Sequence, residues 1–577
     1  MRTLTHKVDF CVVGGGLAGM CAAIAAARKG IKVALMHDRP VPGGNCSSEI
    51  RMWICGAHEE NNLETGIIEE IQLENLYRNT YPSYSIWDSI LYEKLRFEPN
   101  ITLLMNCSCN DAVMDGNRIV SVKGWQLTSE TWHVVEAASF ADCSGDSILA
   151  PLSNAQFRYG REAMAEFDES IEPETADDKT MGMSCLLQVR ETGSPKEFIP
   201  PEWAHKYKTC AELPNRHHVV EGGQNFWWLE IGGEQDTVHD CEEIRDELLK
   251  ITFGVWDHIK NHCDDKDKHA NWIIDWVGFL PGKRESRRYI GDHVLTQNDV
   301  RAGGPFDDIV AYGGWSMDDH HPAGFRYPGK PTIFHPAPSP FGIPYRALYS
   351  KNVENLFFAG RNISASHAAM SSTRVMATCA ILGQAVGTAA AIASEYGLSP
   401  RGVYQQKIGL LQEQLMLDDC YLPGEKRTLT ELTAAARLTA SAGNPEMLRT
   451  GVDRPVGTES NAWECRCGDH VQFSFDVPKS IETLRLVFDS NLNREIKNMP
   501  SYYKVEELKY TPPDTLVKDF RIEYQDEAGA WHTAVEYTGN HQRMVKVPLN
   551  IKAMALRLTP LSTWGSDPIK IFACDLM

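Results

Sequence analysis

Four short segments of the sequence concentrate side chains that can move protons or bind anions. Histidine and carboxylate groups act as general acids and bases, whereas arginine fixes anionic or polarised oxygen atoms. The pair with the most useful spacing is His367 and Arg374, since residues seven apart lie on one face of a helix. The segments are SSEIRMWICGAH with Ser48, Glu49, Arg51 and His58, GKRESRRYIGDH with Arg284, Glu285, Arg287, Arg288 and Asp292, YGGWSMDDHH with Trp315, Asp318, Asp319, His320 and His321, and ISASHAAMSSTR with His367 and Arg374.

Not all of these segments point equally to catalysis. An arginine-rich cluster is also typical of a salt-bridged junction between domains. The Asp-Asp-His-His run does not predict a metal site, because four adjacent residues cannot all face one ion. We therefore expect no metal, with His367 as the base and Arg374 as the substrate anchor. His58, Arg51 and Glu49 are further catalytic candidates.

Near the N-terminus, Gly14, Gly16 and Gly19 form a GxGxxG motif. It follows a predicted strand at residues 7–13 and opens a predicted helix at 17–29, which is the context that the motif requires. The first glycine permits a tight turn, the second lets the backbone approach a pyrophosphate, and the third lets helix and strand pack closely. The free N–H groups at the start of the helix then attract the phosphates. These residues predict a dinucleotide site.

A dinucleotide site of this kind usually has an acidic residue at the end of its second strand, where it binds ribose hydroxyl groups. That strand is predicted at residues 31–36 and is followed by His37, Asp38 and Arg39. The usual acidic position falls nearest His37, so we assign the role to Asp38, one residue further on. Arg39 either stacks on adenine or pairs with phosphate, or is a solvated surface charge.

Further motifs follow the glycine motif in a consistent order along roughly residues 7–400. They are GGGLAG, DRPVPGGNCSSEIRM (38–52), FADCSGD (140–146) and ENLFFAGRNISASHAAMSSTRVMATCAILGQAVGTAAA (354–391). Together they resemble the FAD-dependent oxidoreductase family, within the glutathione-reductase-like flavoprotein superfamily. The resemblance implies that the cofactor is FAD. No second GxGxxG follows a strand, so a separate NAD(P)H domain is not expected and the electron acceptor is left open.

The resemblance also implies which residues contact FAD. They are Gly14, Gly16, Leu17, Ala18 and Gly19 at the glycine motif, Asp38 and Arg39 after the second strand, Gly43, Gly44, Asn45 and Ser48 beside the flavin and its phosphates, Gly145 and Asp146 near the adenosine half, Gly360, Arg361 and Asn362 at the pyrophosphate and ribityl chain, and Thr373 and Met376 where a helix points at the flavin. Many relatives in the superfamily carry Gly-Asp where this chain has Gly360-Arg361. The partner of the ribityl chain is therefore not identified.

The predicted fold class is α/β: a Rossmann-like FAD-binding domain with an inserted, mainly antiparallel β substrate domain, followed by an all-β jelly-roll sandwich. The boundaries fall at 1–150 and 346–440 for the two parts of the FAD-binding domain, 151–345 for the insert and 441–577 for the sandwich. Strand-like pieces in the insert include 184–190 and 226–233, and a helix is predicted over 238–262. The C-terminal strands look like a galactose-binding-like domain of the discoidin type, which either binds carbohydrate or is purely structural.

The net charge, the cysteine content and one uncharged segment limit the kinds of binding partner and location that we expect. The formal net charge of −20 disfavours nucleic acid and anionic membrane surfaces. The 16 cysteines form no disulfide framework, which favours reduced thiols and a cytoplasmic location. Residues 375–393 carry no charge, but their many small residues favour a closely packed buried helix over a membrane span. The oligomeric state is left open.

The predicted function is that of a FAD-dependent oxidoreductase. It would transfer a hydride between flavin N5 and a small organic substrate, such as a sugar or another polyhydroxylated compound. One alternative is a flavin monooxygenase. Another is a non-redox carbohydrate-binding protein or lyase in which the flavin domain is vestigial, although the intact glycine motif argues against it.

Overall fold

The computed structural model describes residues 1–216, 218, 220, 226–495 and 509–577. The chain separates into two compact units, each built from discontinuous segments. The first unit contains Met1–Ala57 and Tyr81–Ile408. The second contains His58–Thr80, the described part of 409–496, and Tyr510–Met577.

The first unit is organised around a seven-stranded mixed sheet. Its strands, with those of the smaller sheets, are β1 (Arg2–Val13), β2 (Val33–Met36), β3 (Ile101–Leu104), β4 (Cys107–Asp115), β5 (Arg118–Gln126), β6 (Thr131–Asp142), β7 (Phe157–Arg158), β8 (Met183–Ser184), β9 (Leu187–Glu191), β10 (Glu230–Ile231), β11 (Trp272–Val277), β12 (Gly282–Lys283), β13 (Arg288–Tyr289), β14 (Ile309–Gly313), β15 (Met317–His320), β16 (Thr332–His335), β17 (Phe341–Pro344) and β18 (Leu356–Phe358). Strands β3, β2, β1, β6 and β18 run parallel in that order, and β5 and β4 continue the sheet antiparallel from β6. The last four residues of β1, 10–13, are buried because parallel sheets are covered on both faces.

Helices of very different length surround the sheets. They are α1 (Leu17–Arg28), α2 (Ile67–Arg78), α3 (Tyr84–Arg96), α4 (Leu149–Ser153), α5 (Met164–Phe167), α6 (Cys241–Asp257), α7 (Gln297–Arg301), α8 (His367–Thr373), α9 (Met376–Tyr396), α10 (Pro400–Leu417) and α11 (Glu431–Ala435). A five-residue π-helix (His258–His262) directly continues α6.

Helices α1 and α9 pack so closely that two glycines are required between them. A Cβ atom at Gly383 would overlap the carbonyl oxygen of Ala18, and one at Gly387 would overlap that of Ala22. Among the described residues, α9 alone is long and apolar enough to cross a membrane, but 94% of its most apolar window is buried inside the protein. The close packing of α9 on α1 is that of a core helix.

The region between β6 and β18 consists of small antiparallel sheets of two or three strands. The predicted helix over 238–262 is formed by α6 and its π-helical end. The predicted strand over 226–233 is reduced to Glu230–Ile231. The chain reaches that strand from Phe226, whose φ of 50° is incompatible with an extended conformation.

The second unit contains one antiparallel seven-stranded sheet. Its strands are β19 (Arg437–Ala440), β20 (Trp463–Cys465), β21 (Val471–Phe488), β22 (Val517–Gln525), β23 (Trp531–Tyr537), β24 (Met544–Thr563) and β25 (Ile569–Leu576). Strand order is β20-β25-β21-β24-β22-β23, with β19 on β21. Helix α2 belongs to this unit as well, where Glu69 pairs with Arg494 and Tyr77 stacks on His541. The unit therefore joins an early segment of the chain to much later ones.

Candidate functional site

The motifs predicted to bind the dinucleotide all follow parallel strands. Strands β1, β2, β6 and β18 are succeeded by Gly14, His37, Cys143 and Ala359, respectively. The carboxyl ends of parallel strands lie along one edge of a sheet, where open α/β folds bind ligands. The sheet therefore collects the separate sequence motifs at a single edge.

The glycine motif has the geometry of a phosphate-binding turn. Gly14 has a φ of 104°, and a Cβ atom at Gly19 would overlap the carbonyl oxygen of Gly14. In contrast, a Cβ at Gly16 would meet only the Cα of Gly44, at 4.0 Å. No side chain caps the start of α1, so its first N–H groups face this open space. These features fit a pyrophosphate held on the helix N-terminus.

The loop predicted to pass beside the flavin lies against the glycine motif. The Gly43 N–H donates to the carbonyl oxygen of Gly15 at 2.8 Å, and Gly43 has a φ of 108°. The Asn45 side chain donates to the carbonyl oxygen of Lys283 at 3.2 Å, whereas the Ser48 N–H donates to Asp88 at 3.1 Å. Hydrogen bonds therefore hold Gly43 and Asn45 next to the predicted cofactor position.

His37 occupies the position where an acidic residue is usual, and it has a structural partner there. Its Nδ1 accepts a hydrogen bond from the Gly15 N–H at 3.0 Å, and its Nε2 donates to the carbonyl oxygen of Val41 at 3.1 Å. Burial lowers the pKa of His37, which favours this neutral form. The side chain of Asp38 is 54% exposed and lies 3.6 Å from Arg39. Asp38 thus remains accessible to a ribose, while His37 braces the glycine turn.

Asp146 is the centre of a half-buried ion cluster after β6. Its carboxylate lies 2.7 Å from both Lys283 Nζ and Arg361, and it accepts from Ser286 Oγ at 2.9 Å. Burial would raise the pKa of Asp146, but the two cations and these hydrogen bonds lower it to about 2. The guanidinium group of Arg361 packs beside Gly145, where a Cβ atom would lie 3.0 Å from it. Arg361 is therefore engaged by Asp146 rather than directed freely at a phosphate.

Among the residues predicted to contact FAD, two have a buried oxygen atom with no hydrogen-bond partner within the protein. They are Oδ1 of Asn362, which follows β18, and Oγ1 of Thr373, at the end of α8. Met376 begins α9, and no side chain caps that helix. Leu17 and Ala18 are buried in the first turn of α1. Buried polar atoms are rarely left unsatisfied, so a hydroxyl-rich cofactor such as FAD fits these positions.

His367 lies between two carboxylates. Its Nδ1 is 2.9 Å from Glu285 and its Nε2 is 3.3 Å from Asp319. Burial would lower the pKa of His367, but Glu285 and Asp319 raise it well above its usual value. The side chain of Asp319 is 23% exposed, whereas those of His367 and Glu285 are 4% and 0% exposed. The two carboxylates therefore favour the imidazolium form of His367, and the pair reaches the surface through Asp319.

A second series of charged side chains begins at Arg374 and Asp318, next to the Glu285–His367–Asp319 contacts. Arg374 lies 3.1 Å from Asp318, which lies 3.2 Å from His320 Nε2. His320 Nδ1 is 2.6 Å from Glu230, and Glu230 is 3.4 Å from Arg284. Burial would raise the pKa of Asp318, but its cationic neighbours lower it to about 2. Three of the four polar segments identified in the sequence thus meet in one network.

The remaining catalytic candidates lie elsewhere. Arg51 adopts a φ of 63°, lies between the rings of Tyr84 and Trp276, and donates to Gln188 at 2.9 Å. Burial raises the pKa of Glu49. His58 belongs to the second unit, and partial burial lowers its pKa. Only His367 and Arg374, of the five candidates, share the charge network.

Several glutamates at this network carry no signal in the sequence. Glu162 accepts from the His367 N–H at 2.9 Å, and Glu172 accepts from the Ala368 N–H at 2.8 Å. The other carboxylate oxygen of Glu172 is buried without a partner, and burial is the main cause that raises its pKa to about 7. A pKa near neutrality at a buried carboxyl marks a functional candidate. Its neighbours in sequence form no motif, so only the fold identifies it.

Comparisons with known proteins give one extensive match and several short ones. The profile of the family described as FAD dependent oxidoreductase matches residues 9–415. Glycerol-3-phosphate dehydrogenase 2 of Mycobacterium bovis is 36% identical over 73 residues, which are 13% of this chain and 12% of that protein. The Mycobacterium leprae glycerol-3-phosphate dehydrogenase is 36% identical over 70 residues, 12% of each chain. The chain thus matches only about an eighth of these relatives' length.

Two solved structures give only partial similarity. The family 32 carbohydrate-binding module of Streptococcus pneumoniae EndoD has a TM-score of 0.19 at 17% identity, and covers 25% of this chain and 94% of its own. Thermovibrio ammonificans THI4 has a TM-score of 0.21 at 18% identity, and covers 30% of this chain and 76% of its own. These similarities are too limited to support a statement about function.

Proposed function

The chain belongs to the FAD-dependent oxidoreductase family, and we propose that it transfers a hydride between N5 of FAD and a small polyhydroxylated substrate. FAD, when bound, supplies the hydride acceptor or donor. The observation that carries the proposal is the buried Asp319–His367–Glu285 triad, next to the Arg374–Asp318 pair. Such a triad can store a proton, and oxidation of an alcohol requires that its hydroxyl proton be removed.

His367 is the proposed proton-transfer residue. Whether it donates or accepts a proton depends on whether the substrate is reduced or oxidised. In reduction of a carbonyl compound, the imidazolium donates its proton toward the new hydroxyl group. In oxidation of an alcohol, His367 accepts the proton only after it has lost its own, so the neutral imidazole is the active form. Asp319 is the most exposed member of the triad and is the proposed point of proton entry.

Arg374 is the proposed substrate anchor. Its Nε is buried without a hydrogen-bond partner, although another nitrogen of the guanidinium contacts Asp318. Carboxylates, which accept hydrogen bonds, alternate along the network with cations, which donate them. A substrate hydroxyl group can pair with both, because it both donates and accepts hydrogen bonds. This pattern supports a substrate rich in hydroxyl groups, such as a sugar. Glycerol 3-phosphate, named for the Mycobacterium relatives, belongs in the same set of test compounds.

For the second unit we propose a jelly-roll sandwich of the galactose-binding type, with either a carbohydrate-binding or a structural role. The single antiparallel seven-stranded sheet supports this assignment. A cytoplasmic location is also proposed, since all 16 cysteines are free thiols in the structure.

The first experiment is the visible spectrum of the purified protein, followed by anaerobic mixing with substrates. The panel contains sugars, polyols, hydroxy acids and glycerol 3-phosphate. Bleaching of the flavin absorbance by one class of hydroxylated compound would support hydride transfer. A flavin that no member reduces, but that NAD(P)H plus an aromatic compound turns over, would favour the monooxygenase instead. A protein that binds carbohydrate and cannot be loaded with FAD would contradict the proposal altogether.

A further inference from the structure

Two cysteines and two histidines converge in the first unit, apart from the charge network. The residues are Cys210, His218, His258 and Cys263, and one possible ligand atom from each lies within 4.8 Å of all the others. Cys210 and His258 are 48 positions apart in sequence, and His218 and Cys263 are 45 apart. The fold, rather than a local motif, brings the four together.

Their distances match the edges of a tetrahedron around a metal ion. Cys210 Sγ lies 3.8 Å from Cys263 Sγ and 3.5 Å from His258 Nε2, and Cys263 Sγ lies 3.6 Å from His218 Nδ1. Zinc bonds of about 2.3 Å to sulfur and about 2.0 Å to nitrogen give tetrahedral edges of about 3.8 Å for S···S and about 3.5 Å for S···N. The measured separations agree with those edges.

A further hydrogen bond orients one of the proposed ligands, His258, for metal binding. His258 Nδ1 lies 3.0 Å from the carbonyl oxygen of Tyr207. A carbonyl can only accept, so Nδ1 carries the hydrogen and the lone pair of Nε2 points to the cysteines. This arrangement is characteristic of histidines that bind metal. His258 begins the π-helix and Cys263 follows it, and π-helical turns occur often at functional sites.

We propose that Cys210, His218, His258 and Cys263 bind a structural Zn²⁺ ion. Two thiolates and two imidazoles are a donor set suited to zinc and unsuited to Mg²⁺ or Ca²⁺. Four protein ligands complete a tetrahedral shell and leave no position for substrate, so the site is structural rather than catalytic.

The ion would fasten Cys210 and His218 to the end of α6. His218 precedes Trp227 and Glu230 in the chain. The Trp227 carbonyl oxygen accepts from Arg284 at 2.9 Å, and Glu230 holds His320 in the charge network.

The test is the metal content of the full-length, tag-free protein, purified without chelators and dialysed with zinc. We expect about one zinc ion per chain, and its near-complete loss in Cys263→Ser and His258→Gln. The matched controls are Cys241→Ser and His262→Gln, which change neighbouring residues outside the cluster and should keep the zinc. Metal-free wild-type protein, or equal loss in the controls, would overturn the proposal.

Cobalt gives a second measurement that needs no variant. Co²⁺ bound to the wild-type protein should show thiolate charge-transfer bands and the intense visible bands of tetrahedral coordination. Their absence would also refute the site, as would a thiol titration of the unreduced protein that finds a disulfide between Cys210 and Cys263. Flavin content is recorded separately, so failure here is distinguishable from failure of the proposed redox function.

Discussion

Nε2 of His367 lies 3.3 Å from Oδ1 of Asp319, although the two residues are 48 positions apart in sequence. The preceding residue, Asp318, contacts Arg374 at the other end of α8. Adjacent aspartates in the middle of β15 therefore hold the beginning and the end of one short helix. The proposed proton-transfer residue and the proposed anchor are fixed by the same strand.

Replacing Asp319 by asparagine should move the pH profile of substrate oxidation to lower pH. The Asp319 carboxylate helps raise the pKa of His367, so its loss lowers that pKa. The neutral imidazole is the active base, and the rate therefore rises with pH through the His367 pKa. The measurement is the rate of anaerobic flavin reduction against pH. Asp307→Asn, at an aspartate with an 83% exposed side chain, is the control and should leave the midpoint in place. An unchanged or raised midpoint in Asp319→Asn would exclude His367 as the base.

Gly16→Ala should abolish FAD binding while the apoprotein stays folded. The added methyl group meets only Gly44 Cα, at 4.0 Å, but fills the space that a pyrophosphate would enter. Gly19→Ala should instead unfold the first unit, since its methyl group overlaps the Gly14 carbonyl. Flavin absorbance and thermal unfolding of both variants check these outcomes. Normal flavin content in Gly16→Ala would contradict the placement of the phosphates.

Gly383→Ala should destabilise the first unit strongly. Its methyl group overlaps the Ala18 carbonyl, and α9 would have to move away from α1. Gly409→Ala, in α10 of the second unit, is a helical control without steric overlap, because no atom lies within 4 Å of its added methyl group. That control should gain roughly 0.5–1 kcal/mol from helix propensity. Denaturant unfolding separates the two, and similar stabilities would show that the helices do not pack this closely.

Arg485→Leu should destabilise the second unit by about 3–5 kcal/mol, because it removes one of the two arginines, Arg485 and Arg427, that neutralise two buried carboxylates. Arg485 has no exposed side-chain surface and lies 2.7 Å from Asp453 and 3.0 Å from Asp575. Arg521→Leu removes a solvent-exposed ion pair with Glu536 and should change the free energy of unfolding by at most about 1 kcal/mol. Equal effects in urea unfolding would mean that Arg485 is not buried as described.

The cofactor edge was predictable from sequence because its signals are local. A glycine turn between a strand and a helix reveals both its geometry and its ligand within a few residues, and the family match confirms FAD as the cofactor. The role of His37 was not predictable, since nothing in the strand pattern shows that its ring accepts the Gly15 N–H.

The charge network was predictable only as separate pieces. Asp319, Glu285 and His367 were each recognisable as candidates, but their pairing depends on contacts across 48 and 82 positions. Glu172 and Glu230 lie in segments without periodicity, so their burial has no local signature. The cysteine and histidine cluster was missed for the same reason, because its ligand spacing matches no known short motif.

The discontinuous second unit has a consequence for synthesis of the protein. Glu69 and Glu74 are translated 425 and 467 positions before their partners Arg494 and His541. Until then, the buried side chains of Ile67, Ile68 and Ile71 have no completed unit to enter. Contacts of such sequence separation form slowly, and exposed apolar surface favours aggregation in the meantime. Newly made chains should therefore depend on chaperones, and a fragment beginning at residue 441 should fold poorly unless residues 58–80 are supplied with it.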